Sequence, residues 1–437
     1  MYEVTAPIAR PPPVPPPRPG PAYRWLVLLA CSLAMFGNYY VFDALPPVTP
    51  LLEQAFGFTG KQVGSLDTAY NVAALLTLLA GGVLIDRLGT ARSAVIFAAI
   101  GAVGTGLIAL LPAVIPQAPW AGMMVGRFVL GVGSESFIVA ATTVVGRWFK
   151  GKEISFALAM QLVLARFGQY AADWSPNLES LFTSWQPPLL VAAAVGGVWL
   201  LFAVVYAGLE TNAARRWGSD EVAPTDKLSL AGLLRYDRAY WWVVGLCVAF
   251  YATIFPFRTF TNLFLTDFHG ISNDQAGSLK SVLPLFSMIG MPIFGIVADR
   301  FGRRALLMTV GSALLVPPFL LMVHTGLPLQ LSMAMLGIAF ALVPAVLWPA
   351  VTYLVPGARL GSAYALMTFC QQVAWAAVSP GIGEVKDLAG ASAANPSGWV
   401  PVMWMLAALA LAGFVFSFLL WREERGPRAH GLETRKA

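Results

Sequence analysis

The sequence predicts an all-α membrane protein with twelve transmembrane helices in two six-helix bundles. Three observations predict it: a composition too apolar for a soluble chain, twelve apolar stretches split six and six by one polar segment, and two motifs that return in the second half at one shared offset. Of 437 residues, 57% are hydrophobic and 11% are charged. Soluble domains carry roughly 25% charged and 45–50% apolar residues. Because the apolarity runs along the whole chain, it excludes most soluble enzymes, and also a soluble domain carrying a single anchor.

The elements follow in order. Residues 1–22 form a cytoplasmic tail whose run from Pro7 to Pro21 suits disorder or polyproline II. The first apolar stretch follows without a small-residue cleavage site, so no secretory signal peptide is expected. A helix needs ~20 apolar residues to cross a bilayer. Candidates lie near 24–44, 63–85, 92–113, 119–147, 153–175 and 187–209, making a first bundle over 23–209. A polar segment, 210–237, reads as a cytoplasmic linker. Candidates near 239–265, 276–298, 304–324, 328–355, 360–384 and 400–421 make a second bundle over 238–421, and 422–437 is a second cytoplasmic tail.

The halves repeat. Gln62-Val63-Gly64-Ser65-Leu66 returns as Gln275-Ala276-Gly277-Ser278-Leu279. At the same offset, Gly82-Val83-Leu84-Ile85-Asp86-Arg87 returns as Gly295-Ile296-Val297-Ala298-Asp299-Arg300. Two parallel bundles related by an axis along the membrane normal account for both matches.

Of the 28 Lys and Arg residues, 22 fall on one side if both tails are cytoplasmic. Lys61, Lys280 and Lys386 face the other side, and Arg127, Arg166 and Arg258 lie within spans. This bias orients the chain, and it explains the net charge of +6 without nucleic acid. Cys31, Cys247 and Cys370 are dispersed in apolar segments, and the three histidines show no metal spacing, so neither metal nor cofactor is expected. Gly146–Lys152 has P-loop spacing, but Glu153 follows it and a membrane helix precedes it, so it reads as a decoy.

A charge at a helix centre costs ~2.5–3.5 kcal/mol on insertion scales. Asp43, Arg127, Glu135, Arg166, Arg258 and, near an outer end, Asp173 and Glu384 therefore need a partner or a water-filled cavity. Counted back from the basic helix ends at ~1.5 Å per residue, Glu135 and Arg166 both lie ~18–21 Å deep, near mid-bilayer. They read either as a buried ion pair that orders the bundle or as a split site, with a carboxylate for an ammonium and a guanidinium fork for a carboxylate. The second arrangement suits a zwitterion such as an amino acid or short peptide. Arg127 is a substrate contact or the resting partner of Glu135. Asp43 and Arg258, near the outer ends of their spans, suit an extracellular gate or a structural role as well as substrate contact. Trp348, Tyr364, Gln371 and Gln372 are candidate cavity liners or packing groups, in spans broken by Pro344, Pro349, Pro356 and Pro380.

The two Gly-x-x-x-Asp-Arg loops resemble the loop between helices two and three of the major facilitator superfamily and its copy in the second half. The resemblance implies a latch made by Asp86 and Arg87 in the first half and by Asp299, Arg300, Arg303 and Arg304 in the second. Gly89-Thr90-Ala91-Arg92 lacks the paired bases that Phe301-Gly302-Arg303-Arg304 carries.

A longer match is more specific. Gly126-Arg127-Phe128, Gly131 to Ser136, Trp148 to Glu153, Gln161-Leu162 and Ala165 to Gly168 resemble the group named major facilitator superfamily domain-containing protein 1. Its animal members are lysosomal dipeptide uniporters. Phe36 to Tyr40 with Asp43, Leu347-Trp348-Pro349, Val355-Pro356 and Gly361 to Tyr364 add to the match. The resemblance implies that Glu135 and Arg166 contact the two charged ends of a dipeptide moved by alternating access. The alternative is a proton-coupled transporter of another organic solute, although the E-x-x-E-R signature of proton-coupled peptide transporters is absent from the first span. Without an acidic dileucine signal or an N-x-[ST] sequon, the expected location is a prokaryotic inner membrane, with the lipid bilayer and a small solute as partners and no accessory subunit. No enzyme constellation is present.

Overall fold

The computed structural model describes residues 20–149, 153–217, 236–356 and 359–434, almost wholly as helix. The Pro-rich run before residue 20, most of the expected linker (218–235) and the basic residues Lys150 and Lys152 lie outside the described residues. The first half holds α1 (Pro21–Asp43), the short α2 (Thr49–Phe56), α3 (Gly60–Val114), α4 (Pro119–Trp148), α5 (Ile154–Trp174) and α6 (Gln186–Trp217). The second holds α7 (Arg238–His269), α8 (Asn273–Phe301), α9 (Arg304–Leu315), α10 (Pro317–His324), α11 (Leu329–Leu354), α12 (Leu360–Leu388) and α13 (Trp399–Glu423).

Among the described residues, breaks in the ladder turn this list into six helical passes per half. In α3 the chain reverses at Gly89, where φ is 78° and ψ is 163°, a conformation open to glycine and strained for other residues. Gly89 thus divides α3 into two antiparallel limbs. Pro317 and Pro318 remove two ladder donors, so α9 and α10 are one pass with a step between them. α6 continues to Trp217 and α13 to Glu423, carrying helix into segments that the sequence reads as linker and tail.

Among the described residues, nine segments are long and apolar enough to span a membrane. The first limb of α3, α5 and α12 are not among them. Each carries polar groups that meet the other half: Asp67 on α3, Asp173 on α5, and Ser379, Lys386 and Asp387 on α12. Helices in the middle of the molecule meet protein rather than lipid, so polarity there is tolerated.

One end of the molecule carries the start of α1, the Gly89 turn, the Gly302 turn and the C-terminal tail to residue 434; it is the basic face. At the opposite end the halves join in two seams. The first limb of α3 lies against α12, and α5 lies against α8. The repeated glycine serves both seams. A Cβ on Gly64 would enter the Ser379 carbonyl, and a Cβ on Gly277 would come 2.6 Å from the Asp173 carbonyl oxygen. The recurrence of this motif therefore has a packing reason: backbone must meet backbone at both places. Gln62 also caps α3, its side chain accepting from Thr59 N while Thr59 Oγ1 accepts from Gln62 N.

The C-terminal tail docks onto the basic face. Leu432 is fully buried, its carbonyl accepts from Arg304 N at 2.8 Å, and Glu433 Oε1 accepts from Leu306 N at 2.9 Å. The tail thereby takes up donors in the first turn of α9, which lacks a cap of its own.

Candidate substrate site

Buried charges fall into two groups. The first lies at the opposite face and is fully paired. Arg258 on α7 donates to Asp43 at 2.8 Å and to Asp173 at 3.0 Å, and Lys280 on α8 lies 2.9 Å from Asp173. All four side chains are at most 2% exposed. Two acids from the first half thus face two bases from the second, and the set is neutral. Lys280, read from the sequence as a residue facing the far side, is instead buried, because a carboxylate of the other half neutralises it.

A second knot sits deeper. Arg127 Nη2 donates to Asp67 Oδ1 at 3.1 Å, and Asp67 Oδ2 accepts from Thr259 and Ser379, both at 2.7 Å and both from the second half. The rest of the Arg127 guanidinium goes to the Phe42 and Leu66 carbonyls, and it packs over the rings of Phe42 and Tyr70. The partner of Arg127 is therefore Asp67 rather than Glu135. The structure does not bring Arg127 to the cavity described next, because Phe42 and Tyr70 stand in front of it.

The other group surrounds a cavity of about 60 Å³ between the halves. It is lined by Asn38, Tyr39, Phe42, Tyr70, Ser134, Glu135, Ile138, Gln169, Phe255 and Trp375. Tyr70 donates to Glu135 Oε1 at 2.9 Å and lies 2.8 Å from Ser134 Oγ, which donates to Asn38 Oδ1 at 2.7 Å. One oxygen of Glu135 is thus oriented by a buried chain of hydroxyls. On α5, Arg166 Nη1 donates to the cavity-lining Gln169 at 2.5 Å, and its guanidinium lies over Phe340 at 4.3 Å. Among the described residues, neither Glu135 nor Arg166 has an oppositely charged group within ion-pair distance.

Trp348, Tyr364 and Gln371 stand behind the second-half wall rather than in the cavity lining. Trp348 Nε1 donates to Tyr251 Oη at 3.0 Å, Tyr364 Oη donates to the Trp348 carbonyl at 2.9 Å, and Gln371 accepts from Cys247 Sγ at 3.5 Å. Tyr251 stacks on Phe255, and Phe255 stacks on Trp375 at 4.3 Å. Trp348 and Tyr364 reach the cavity through that aromatic stack, whereas Gln371 is tied to Cys247. A larger cavity of about 510 Å³ opens at the opposite face beside Glu53, Asp267 and Asn273. There Glu53 is tied to Lys386 at 2.8 Å, and Asp267 accepts from Trp399.

At the basic face, Arg304 bridges to Asp299 at 3.0 Å and lies over Tyr353. Arg300 and Arg303 are exposed, Arg303 with a φ of 51°. In the first half Arg87 is exposed, and the Asp86 side chain lies outside the described residues. The matching turn is tied through Thr90, whose Oγ1 is reached by both Arg147 and Tyr206 at 2.9 Å, and Arg147 also lies 3.6 Å from Glu210.

Asp67 escapes a reading of the sequence alone because it stands at the polar end of a span with no partner nearby. A signal existed. Extending the Gln62–Leu66 repeat by one residue aligns Asp67 with Lys280, an acid against a base, and each is paired to a buried charge on another helix.

Two helical bundles around a central cavity, with buried charges at their junction and apolar outer faces, define a multi-pass membrane transporter. The family profile described as Major Facilitator Superfamily matches residues 31–380, and the chain belongs to that superfamily. It is a secondary transporter and not an enzyme. It is similar to the lysosomal dipeptide transporter MFSD1 of Bos taurus, with 28% identity over 380 residues, covering 84% of this chain and 81% of the relative. It is also similar to the hexuronate transporter of Escherichia coli strain K12, with 21% identity over 324 residues, covering 69% and 73%. Among solved structures, the nucleoside transporter NupG superposes with a TM-score of 0.71 at 16% identity, covering 92% of this chain and 99% of that one. A bacterial homologue of the human lysosomal transporter Spinster superposes at 0.71, also at 16% identity, covering 92% and 98%. At these identities the structures share the fold.

Proposed function

We propose that the protein moves small zwitterions, dipeptides foremost, by facilitated alternating access, through a prokaryotic inner membrane with its basic face in the cytoplasm. The observation that carries this reading is the pair of uncompensated charges at the cavity. Every other charge cited from the protein's interior has a partner, whereas Glu135, which lines the cavity, and Arg166, which reaches its lining through Gln169, have opposite signs and no counter-ion. An unpaired charge in the core is costly. A solute with an ammonium at one end and a carboxylate at the other neutralises both at once.

The cavity as it stands has the volume of about two water molecules, so a dipeptide enters only as the bundles shift. In this orientation the two seams close the outer side. Opening outward separates Arg258 from Asp43 and Asp173, and Asp67 from Thr259 and Ser379. The similarity to the MFSD1 relatives supports a dipeptide cargo.

The second reading is a proton-linked carrier of an organic anion. It is favoured by Glu135, a carboxylate held by Tyr70 without a base, and by the hexuronate transporter among the relatives. Uptake of a dipeptide panel into proteoliposomes, with and without a pH gradient, separates the two. Saturable uptake indifferent to the gradient supports uniport. Uptake that moves protons supports the second reading, and no saturable dipeptide flux removes the proposed cargo.

A further inference from the structure

The geometry points to Phe340 of the second half as the residue that positions the Arg166 guanidinium, so that the carboxylate end of the site is assembled from both halves. The inference deepens the zwitterion reading and rests on it for the identity of the ligand.

Arg166 comes from α5, and Phe340 comes from α11. The guanidinium carbon lies 4.3 Å from the ring centroid, well inside the ~6 Å range of a cation–π contact. Phe340 is fully buried and is itself held in place. It stacks on Phe250 at 6.4 Å and meets Phe255 edge-on at 6.1 Å, and Phe255 in turn stacks on the cavity-lining Trp375. The ring is therefore a rigid shelf connected to the wall of the cavity.

The hydrogen bonds fix the remaining freedom of Arg166. Nη1 is committed to Gln169, while Nε is buried without a hydrogen-bond partner. With its carbon over the ring and Nη1 held, the guanidinium keeps its Nε edge uncommitted, and that edge can grip a carboxylate through two parallel N–H···O bonds. The π face eases the burial of the guanidinium but brings no counter-ion, so the charge still lacks an acid. Because the shelf belongs to the other bundle, separating the halves at this level takes it away. The affinity for the carboxylate end is thereby coupled to the arrangement of the halves.

The test uses the purified full-length protein and two probes, L-alanyl-L-alanine and its C-terminal amide. Phe340→Leu keeps an apolar side chain but removes the π face. It is expected to weaken binding of the dipeptide about tenfold, the order of a desolvated cation–π contact, and to leave binding of the amide within about twofold. Phe340→Trp is expected to restore the dipeptide affinity. A second readout needs no substrate: modification of Arg166 by phenylglyoxal, followed by mass spectrometry, should be several-fold faster in Phe340→Leu than in the wild type. Equal loss for both probes without rescue by Phe340→Trp would mark Phe340 as ordinary packing and overturn the inference, as would an unchanged modification rate. If the wild type binds neither probe while Phe340→Leu still exposes Arg166, the dipeptide reading fails and the positioning role stands.

Discussion

The seams at the opposite face and the central cavity are built from the same residue types and treat charge in opposite ways. At the seams, Asp43, Asp173, Arg258 and Lys280 neutralise one another across the two halves. At the cavity, Glu135 and Arg166 are left to a tyrosine hydroxyl, a glutamine and a phenylalanine ring. The seam stabilises one arrangement of the bundles. In the proposed reading, the cavity keeps these two charges for a solute that arrives from outside. A transporter needs both, because the seam must break in each cycle and the solute must supply free energy at the step where it does.

The contrast is most exposed at Asp173, which serves two cations. Asp173→Ala leaves Arg258 with Asp43 alone and strands Lys280. Removing one partner of a buried pair costs about 3–5 kcal/mol, so thermal unfolding in detergent should shift down by several degrees. Adding Lys280→Met, which removes the stranded charge, should recover part of the loss. A melting temperature unmoved by Asp173→Ala would mean that the seam charges are solvated and that their pairing holds nothing.

Glu135→Gln and Arg166→Ala should behave in the reverse way. Each removes a charge that has no partner in the empty protein, so unfolding should be unchanged or slightly later. Uptake should fall at least about 100-fold, equivalent to ~2.7 kcal/mol. If either variant melts as early as Asp173→Ala while keeping transport, the residue is structural and the distinction between cavity and seam dissolves.

The packing side of the seam gives a smaller effect with a definite sign. Gly64→Val and Gly277→Val place methyl groups against backbone carbonyls of the facing half. Overpacking of this kind costs about 1–3 kcal/mol, and the cost falls only on the state in which the seam is closed. Distances between spin labels on α3 and α12, or on α5 and α8, should lengthen at the opposite face. Unchanged distance distributions would mean that the neighbouring helix yields locally.

What the sequence made legible follows from the range of the interactions involved. The helical passes are local matters of apolar length, and the two turns are local matters of Gly89 and Gly302. The depths of Glu135 and Arg166 needed only a rise per residue. Pairings were harder. Whether Arg127 meets Asp67 or Glu135 depends on which face of α4 looks toward α3, and nothing within either helix says so. Lys280 looked like a loop lysine because its partner Asp173 lies in the other half. The docked tail was invisible for a different reason: residues 424–434 have no apolar period, and they are held by backbone donors of α9 that no sequence pattern advertises.

That tail supplies the last and smallest test, because it sets a third treatment of charge beside the other two. Asp299 and Arg304 form an ion pair at the basic face, but the Asp299 side chain is 83% exposed. Water screens such a pair, and its worth is about 0–1 kcal/mol. Glu433 instead accepts a hydrogen bond from a backbone donor in the first turn of α9, and losing a cap of this kind costs about 1 kcal/mol. Hydrogen exchange at Leu306 and its neighbours should therefore speed up more in Glu433→Ala than in Asp299→Asn. If Asp299→Asn has the larger effect, the exposed pair is what holds the turn, and exposure would then be the wrong measure for ranking the charges of this protein.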